Sequence, residues 1–194
     1  MSDASIIRAT DHRRMRWTNG GGWTTELVAF PSPEAWDWRL SVAEVAADGP
    51  FSVFTGIDRT IALLSGRGFA LTIHGTPELV ADEPFRPHQF DGAANTYCRL
   101  IDGPIEDVNL MVRRGTLRLG MTFIVLHPGA PTVIKSPTVL VVDGEIAHGT
   151  DRLRRLDVLG FIDGSEVRSP DDATVLSAAA GRPAVIALIS PSQR

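Results

Sequence analysis

Two arginines, Arg39 and Arg59, are the residues of this chain best suited to bind a ligand. A guanidinium group is planar and can hold a carboxylate through two parallel hydrogen bonds. Alternation along the segment WRLS places Arg39 on the same strand face as Ser41. The alternative is that each arginine pairs with a structural carboxylate, such as Asp37 or Asp58. The pattern therefore predicts either a site for a small anionic metabolite or two structural ion pairs.

A glycine-rich segment, WTNGGGWTTE at residues 17–26, is the second candidate for ligand contact. Consecutive glycines permit a tight backbone path, and their N–H groups can form a nest for an anion. The segment is not a P-loop, because no Lys-Ser or Lys-Thr pair follows at the required spacing. Asn19 and Glu26 are the side chains that could reach a ligand. The alternative is a glycine-rich turn that leads into a strand.

The segment IEDVNLMVRRG, residues 105–115, supplies the third set of candidates. Alternation places Asp107, Asn109, Met111 and Arg113 on one face of a strand. In a barrel, such a face points either to solvent or into a polar cavity. We include Asn109, whose amide both donates and accepts hydrogen bonds, and Arg113 among the predicted ligand-binding residues.

Glu26 and Glu44 raise the alternative of catalysis. Two carboxylates can act as a general acid and base if they converge and if burial raises the pKa of one of them. Regular alternation turns Glu44 away from Ser41, but a bulge near Ala43 would return it to the polar face. The alternative function is thus a metal-free isomerase or hydrolase, although the residues favour binding over catalysis.

The histidine spacing predicts that the protein uses no metal and no other cofactor. Two histidines one residue apart on a strand can converge on a single ion, and the sequence has no such pair. The five histidines are His12, His74, His88, His127 and His148. A metal-dependent oxygenase or isomerase stays open as a further alternative. Cys98 lies in the apolar segment TYCRLI, which indicates a buried, inert thiol.

The elements that must position these residues are short strands. Apolar runs are short and are separated by Gly, Pro and Asp, and several alternate with a period of two, as in residues 36–42 and 69–73. The pattern predicts an all-β barrel or sandwich, with hairpin turns at Asp143-Gly144 and Asp163-Gly164. One or two helical turns are expected at 150–157.

The chain is expected to consist of two halves. Residues 1–112 should form the half with the ligand pocket, and residues 113–194 should form a plainer β half.

Composition limits the partners. The formal net charge of −4 argues against binding to nucleic acid, and no apolar run reaches the roughly 20 residues of a membrane helix. The cluster Arg13, Arg14 and Arg16 is interpreted as a solvated loop rather than a contact for a polyanion.

With a single cysteine and no apolar stretch typical of a signal peptide, we expect a cytoplasmic protein. An interaction module without a small ligand is another alternative, and a homodimer is the commonest assembly.

Four motifs together resemble the HutD/Ves family. They are WxNGxGxTxE at 17–26, WRxSxAEVxxDGPFSxFxGxDR at 38–59, LxGxGxxL at 64–71 and DGPxxDxNxMxRRG at 102–115. The match covers roughly residues 10–116. One departure is Val108, which stands where a larger aromatic residue is more usual and could reshape the pocket.

The resemblance implies a double-stranded β-helix, the cupin-like fold, arranged as a compact bicupin without a recognised metal. It also implies a regulatory or auxiliary role in histidine utilisation rather than one of the central enzymatic steps. Together with the arginine pair, it suggests an anionic ligand from histidine breakdown, such as a formylated or formimino glutamate, or urocanate.

Overall fold

The computed structural model of the protein describes residues 5–160, 162–163, 166–167, 174–179 and 181–192. Its first strands are β1 (Ser5–Ile7), β2 (Arg13–Arg16), β3 (Gly22–Phe30), β4 (Trp38–Val45), β5 (Gly49–Pro50), β6 (Ile57–Ser65), β7 (Phe69–Ile73), β8 (Leu79–Ala81), β9 (His88–Asp91), β10 (Thr96–Leu100) and β11 (Ile105–Arg113). The later strands are β12 (Leu119–Leu126), β13 (Thr132–Ile134), β14 (Thr138–Asp143), β15 (Glu145–His148), β16 (Asp151–Arg154), β17 (Val158–Gly160), β18 (Ile162–Asp163), β19 (Glu166–Val167), β20 (Thr174–Ala178) and β21 (Ala184–Pro191).

The predicted all-β class is confirmed. In the part of the chain that the structure describes, the regular structure other than strands is one 3₁₀ turn at Ala9–Asp11. No helix within those residues is long and apolar enough to cross a membrane.

The chain divides into two compact units. The N-terminal unit comprises residues 13–118, and the C-terminal unit comprises the residues up to His12 together with those from Leu119 onward. The boundary expected after residue 112 falls inside β11 instead. Moreover, β1 pairs with β17, Ser5 standing opposite Gly160, so the first strand belongs to the C-terminal unit.

Each unit combines a longer sheet with a four-stranded one. In the N-terminal unit, the six-stranded sheet has the order β2-β3-β4-β11-β6-β9, and the four-stranded sheet has the order β5-β10-β7-β8. In the C-terminal unit, the corresponding orders are β1-β17-β14-β21-β12 and β13-β20-β15-β16. The two-sheet plan therefore occurs twice along the chain, as expected of a compact bicupin.

The core of the N-terminal unit lies between its two sheets, and alternation explains which residues enter it. On β4, Trp38, Leu40 and Val42 are buried on one face, while Ala43 and Val45 point to the other face and join the core. The remaining buried members of this core are Ile61, Leu63, Phe69, Leu71, Ile73, Ala81, Cys98 and Ile105.

The core of the C-terminal unit is built mainly from apolar side chains, and the buried Thr174 shares the inner face of β20 with Leu176. It draws on both sheets of that unit, and its buried members are Leu126, Ile134, Val139, Val141, Ile146, Leu153, Leu159, Leu176, Ala178, Ala184 and Ile186. Val, Ile and Leu suit this position because their branched side chains pack well on a pleated surface.

The hairpin expected at Asp143-Gly144 is wrong, although the glycine does adopt the left-handed φ of +83°. β14 pairs with β17 and β21, whereas β15 pairs with β16 and β20, so the chain passes here from one sheet to the other. A Cβ at this position would lie 2.9 Å from Ala184, which requires glycine.

The other two local predictions have different outcomes. β18 and β19 pair antiparallel, as expected around Asp163-Gly164, while Gly164 itself lies outside the described residues. The helix expected at 150–157 is wrong: Asp151–Arg154 is a strand paired with β15. The arginine-rich run alternates, and the side chain of Leu153 points inward and is fully buried.

Candidate functional site

Three neighbouring strands of the six-stranded sheet carry the site. Residues that stand opposite each other in antiparallel strands share a face of the sheet. The inner-face rows, in the order β4, β11, β6, are Arg39–Met111–Arg59, Ser41–Asn109–Ile61 and Ala43–Asp107–Leu63. Ala43, Ile61 and Leu63 belong to the core of the unit. The polar side chains therefore stand on the same face as the apolar core and border it.

A cavity of about 180 Å³ opens over these rows. Its walls are Trp17, Thr18, Asn19, Thr24, Arg39, Ser41, Ala43, Pro50, Phe51, Ser52, Phe54, Arg59, Asp107, Asn109 and Met111. A single water needs roughly 10–15 Å³ of such space, and pockets for drug-sized ligands reach about 300–1,000 Å³. The cavity holds many water-sized volumes but is smaller than a pocket for a drug-sized ligand, so it is suited to a small metabolite.

The glycine-rich segment forms part of the cavity wall through a defined turn. Asn19 accepts a hydrogen bond from the Gly21 N–H at 3.0 Å through its Oδ1, so its side chain closes its own turn. Gly22 is packed too tightly for any side chain, because a Cβ there would lie 2.3 Å from the Glu44 carbonyl oxygen. Nearby, Trp17 Nε1 donates to Thr24 Oγ1 at 2.8 Å and holds these two wall residues together.

Arg59 is the most deeply buried cation of the site, with 5% of its surface exposed. Three aromatic rings surround its guanidinium, whose carbon lies 4.9 Å from the ring centre of Phe90, 5.3 Å from that of Phe51 and 5.7 Å from that of Phe54. Its Nε donates a long hydrogen bond of 3.5 Å to Asn109 Oδ1. Cation–π contacts of this kind stabilise the charge without neutralising it.

No carboxylate among the described residues forms an ion pair with Arg59, which makes it different from its neighbours. Burial lowers the pKa of Arg59 to about 10; the charge of Asp107 opposes this shift and that of Arg39 adds to it. The guanidinium therefore remains protonated at neutral pH.

Arg39 also lines the cavity, but its charge is compensated. Its Nε lies 2.7 Å from Glu26 Oε2, and both side chains are largely buried. The Nε–H does not point at that oxygen, so the contact is an ion pair rather than an aligned hydrogen bond. Of the two alternatives raised by the sequence, Arg39 thus follows the structural pairing, although with Glu26 rather than with Asp37.

Asp107 is the functional candidate that the site-residue prediction missed. It is 1% exposed, and neither carboxyl oxygen has a hydrogen-bond partner. Burial raises the pKa of Asp107 to about 7, against the opposing effect of Arg59. Buried carboxylates in native proteins are nearly always hydrogen-bonded, so an orphaned one in a cavity marks a candidate site. The signal was present in the sequence, since alternation placed Asp107 on the same face as Asn109.

The structure brings together most of the predicted site residues. Asn19, Arg39, Ser41, Arg59 and Asn109 all line the cavity. Glu26 stands behind Arg39 as its counter-ion. The aromatic wall at Phe51 and Phe54 was not predicted, because these residues lie in an irregular loop that has no period to read.

Glu44 lies outside the cavity wall. The bulge expected near Ala43 is absent, because β4 pairs with β11 in unbroken register from Trp38 to Val45. The irregularity is instead in β3, between Glu26 and Val28. Glu44 therefore points to the outer face, where its Oε2 accepts a hydrogen bond of 2.8 Å from Arg14.

Arg113 also lies outside the cavity wall. It ends β11, and its Nη2 donates to the Trp36 carbonyl oxygen at 2.9 Å. Its Nε lies 3.6 Å from Asp37 Oδ1. Asp58, the other carboxylate considered at the outset, is paired with Arg114 at 2.7 Å. Asp37 and Asp58 thus both form ion pairs outside the cavity wall.

Cys98 is buried, as expected from its apolar surroundings. Burial raises the pKa of its thiol to about 12, with Asp107 and Asp48 adding to the shift. Within the described ranges of the chain, no group of three or more His, Cys, Asp or Glu side chains is placed to hold a metal ion.

Comparison with solved structures defines the class of protein. Oxalate decarboxylase from Bacillus subtilis superposes with a TM-score of 0.71 over all of this chain and 78% of that chain, at 8% identity, so it shows the fold alone. HutD from Pseudomonas fluorescens SBW25 superposes with a TM-score of 0.74 over 98% of this chain and all of that chain, at 29% identity. The protein has the cupin fold, the double-stranded β-helix predicted from the motifs.

The family follows from sequence. The sequence model of the HutD family matches residues 9–179. The chain therefore belongs to the HutD family, which the motif resemblance associates with histidine utilisation.

Curated relatives agree with this assignment. An uncharacterized 21.2 kDa protein in the hutC 3' region of Pseudomonas putida is 38% identical over 57% of this chain and 59% of its own length. The protein Ves of Cronobacter sakazakii is 34% identical over 53% of this chain and 56% of its own. The matched segment thus spans little more than half the length of either relative.

Proposed function

We propose that the N-terminal unit binds a small carboxylate metabolite and that the protein acts as a regulatory or auxiliary component of histidine utilisation. The observation that carries the proposal is Arg59, a buried guanidinium at a cavity with no ion-pair partner among the described residues. A buried, unpaired charge is costly, and a ligand carboxylate would offset that cost through two charge-assisted hydrogen bonds.

The groups around Arg59 favour a carboxylate ligand over larger anions. The Ser41 hydroxyl and the Asn109 amide stand opposite each other in the row next to that of Arg59, and both can donate to the second oxygen of a carboxylate. The cavity volume of about 180 Å³ matches a metabolite of modest size. Compounds with these properties in the expected pathway are N-formylglutamate, formiminoglutamate and urocanate.

The alternative function, a metal-free isomerase or hydrolase, receives less support from the geometry. Glu26 is engaged by Arg39, and Glu44 is engaged by Arg14 on the outer face, so the two carboxylates do not converge. Turnover of a bound metabolite that is lost in Glu26→Gln would restore this alternative.

Calorimetric titration with the three metabolites, and with formate as the smallest carboxylate, tests the proposal. HutD from P. fluorescens SBW25 was solved in a formate condition, which makes formate a natural first probe. We expect saturable binding of at least one compound. Arg59→Ala should weaken it by at least about a hundredfold, because both charge-assisted hydrogen bonds are lost.

Two further variants make the result specific. Arg59→Lys keeps the charge but loses the planar fork, so we expect intermediate affinity. Arg99→Ala removes an exposed arginine of the same unit and should bind as the wild type does. The melting temperature of Arg59→Ala should stay within a few degrees of that of the wild type. No binding by the folded wild-type protein, or unchanged binding in Arg59→Ala, would contradict the proposal.

A further inference from the structure

Asp107 stands in the innermost of the three rows of the cavity, and its environment gives its carboxyl no conventional structural role. A structural buried aspartate accepts hydrogen bonds from the backbone or from a cation. Both oxygens of Asp107 are buried and have no hydrogen-bond partner. Nevertheless, the residue forms part of the wall of the same cavity as Arg59.

The groups that face Asp107 from neighbouring strands are few. On β4 the opposite residue is Ala43, and on β6 it is Leu63, neither of which titrates. The charged group from β6 that acts on it is Arg59. From β10 comes the Cys98 thiol, which stays neutral because its pKa is raised to about 12. Burial therefore dominates the ionisation of Asp107, and Arg59 is the charged group that opposes it.

A ligand carboxylate at Arg59 changes this balance. When Asp107 is ionised, its charge compensates that of Arg59 and opposes a second negative charge in the cavity. When Asp107 is protonated, the Arg59 charge is available to a ligand, while Arg39 and Glu26 cancel each other. Two carboxylates beside one cation in a low-dielectric site do not both stay ionised without a large cost.

We propose that Asp107 is the specificity-determining residue of the anion site, because it takes up a proton when a carboxylate binds at Arg59 and so admits one negative charge. This inference rests on the proposed function, since it concerns the same cavity. The reaction balances simply: the ligand anion and one proton from solvent enter together, and no covalent bond other than the new O–H of Asp107 is made.

The sign of the pH dependence follows from linkage. Burial holds the pKa of Asp107 near 7 in the free protein, and a bound anion raises it further. Below this pKa the proton is already present, so affinity does not depend on pH. Above it, each binding event takes up one proton, and the affinity falls about tenfold per pH unit.

The test is a titration of the protein with sodium formate and with N-formylglutamate between about pH 5.5 and 8.5, where their carboxylates stay ionised. NMR chemical shifts give the affinity at each pH. We expect a plateau below neutrality and a steep loss above it. In Asp107→Asn, the amide imitates the protonated acid, so affinity should be high and independent of pH. Asp102→Asn, which removes an exposed carboxylate of the same unit, should keep the wild-type profile.

The outcomes separate this inference from the proposed function. Anion binding in the wild type with affinity constant over this pH range would overturn the role of Asp107 and leave the anion site intact. A pH dependence that persists in a folded Asp107→Asn variant would also overturn it. Absence of binding by either anion at every pH would overturn both. The wild-type profile alone is decisive if the variant fails to fold.

Discussion

The two units of this protein share a two-sheet plan but differ in what the inner faces of their long sheets carry. In the C-terminal unit, the buried inner positions are apolar, as at Val139, Val141 and Ile186, and the polar Thr122 and Ser190 lie on this face toward its edge, where neither is fully buried. In the N-terminal unit, the inner face of the long sheet also carries Arg59 and Asn109, both nearly buried. Burying polar groups lowers stability unless they are paired, so the contrast separates a unit built for packing from the one in which we propose a binding site.

Two buried aspartates, Asp157 in the C-terminal unit and Asp107 in the N-terminal unit, show the same contrast between the two units. Asp157 of the C-terminal unit accepts hydrogen bonds from the backbone of Ala9 and Arg154 and from the Arg8 guanidinium. Burial acts to raise the pKa of Asp157, but these bonds outweigh it and lower the pKa. Asp107 has no such bonds, and its pKa rises. A buried carboxylate that accepts several hydrogen bonds thus stabilises the fold, whereas a buried carboxylate without hydrogen-bond partners marks a candidate ligand site.

The largest effect is expected from placing a polar group in the apolar unit. Ile186→Asn would bury an amide without partners in a fully packed core, at a cost of about 3–5 kcal/mol in the free energy of unfolding. Urea denaturation measures this change. A cost below about 1 kcal/mol would mean that the C-terminal core tolerates polarity and would remove the contrast between the units.

The two aspartates should respond to pH with opposite signs. For Asp157, the folded pKa lies below the unfolded value of about 4, so its stabilisation is present above that pH and is lost as pH falls. For Asp107, burial raises the folded pKa to about 7, above the unfolded value, so stability falls as pH rises from about 4 to about 7 and levels off above that.

Asp157→Asn should therefore lower the free energy of unfolding at pH 8 by about 1 kcal/mol, and the loss should shrink near about pH 3. Asp107→Asn should raise it at pH 8 by about 1–3 kcal/mol, and the gain should vanish near about pH 4. Urea denaturation across this pH range checks both. Changes of the same sign in the two variants would contradict the account.

Sequence alone could predict most of the inner face but not its electrostatics. Alternation along β4 and β11 placed Arg39, Ser41 and Asn109 on one polar face, because the period of a strand is fixed by its pleat. It could not show that Glu26 neutralises Arg39 while Arg59 stays unpaired, since that depends on the side-chain contacts made across the folded sheet. For the same reason, Asp107 could be placed on the face but not seen to lack partners.

The wrong local predictions, at Asp143-Gly144 and at Glu44, have a similar origin. Asp143-Gly144 has the residues of a tight hairpin, and the glycine has the expected φ, yet tertiary packing sends β15 to the other sheet. A bulge near Ala43 would have turned Glu44 inward, but β4 is regular there and the irregularity lies in the neighbouring strand β3, which alternation alone could not reveal.

A smaller effect is expected from making the N-terminal unit more like its counterpart. Asn109→Leu removes the acceptor of the Arg59 Nε–H and a donor for the ligand, so anion affinity should fall by about tenfold. The free energy of unfolding should fall by about 1 kcal/mol, because the buried Arg59 Nε–H loses the acceptor of a long hydrogen bond. Calorimetry and urea denaturation measure the two quantities, and a large stability loss with unchanged affinity would assign Asn109 a purely structural role.

The smallest effects are expected at the two predicted residues that lie outside the cavity wall. Glu44→Gln and Arg113→Ala should each change anion affinity by less than about twofold, because their ion pairs are partly exposed and screened by solvent. Calorimetric titration with N-formylglutamate provides the comparison. A loss comparable to that of Arg59→Ala would mean that the site extends to the outer face or to the end of β11.

The most direct test of an anion site in the N-terminal unit is a crystal structure of the protein with N-formylglutamate. The account predicts electron density in the cavity, with a carboxylate of the ligand within hydrogen-bond distance of the Arg59 guanidinium and close to Asn109. Density for the ligand outside this cavity, with the space around Arg59 filled only by water, would contradict it.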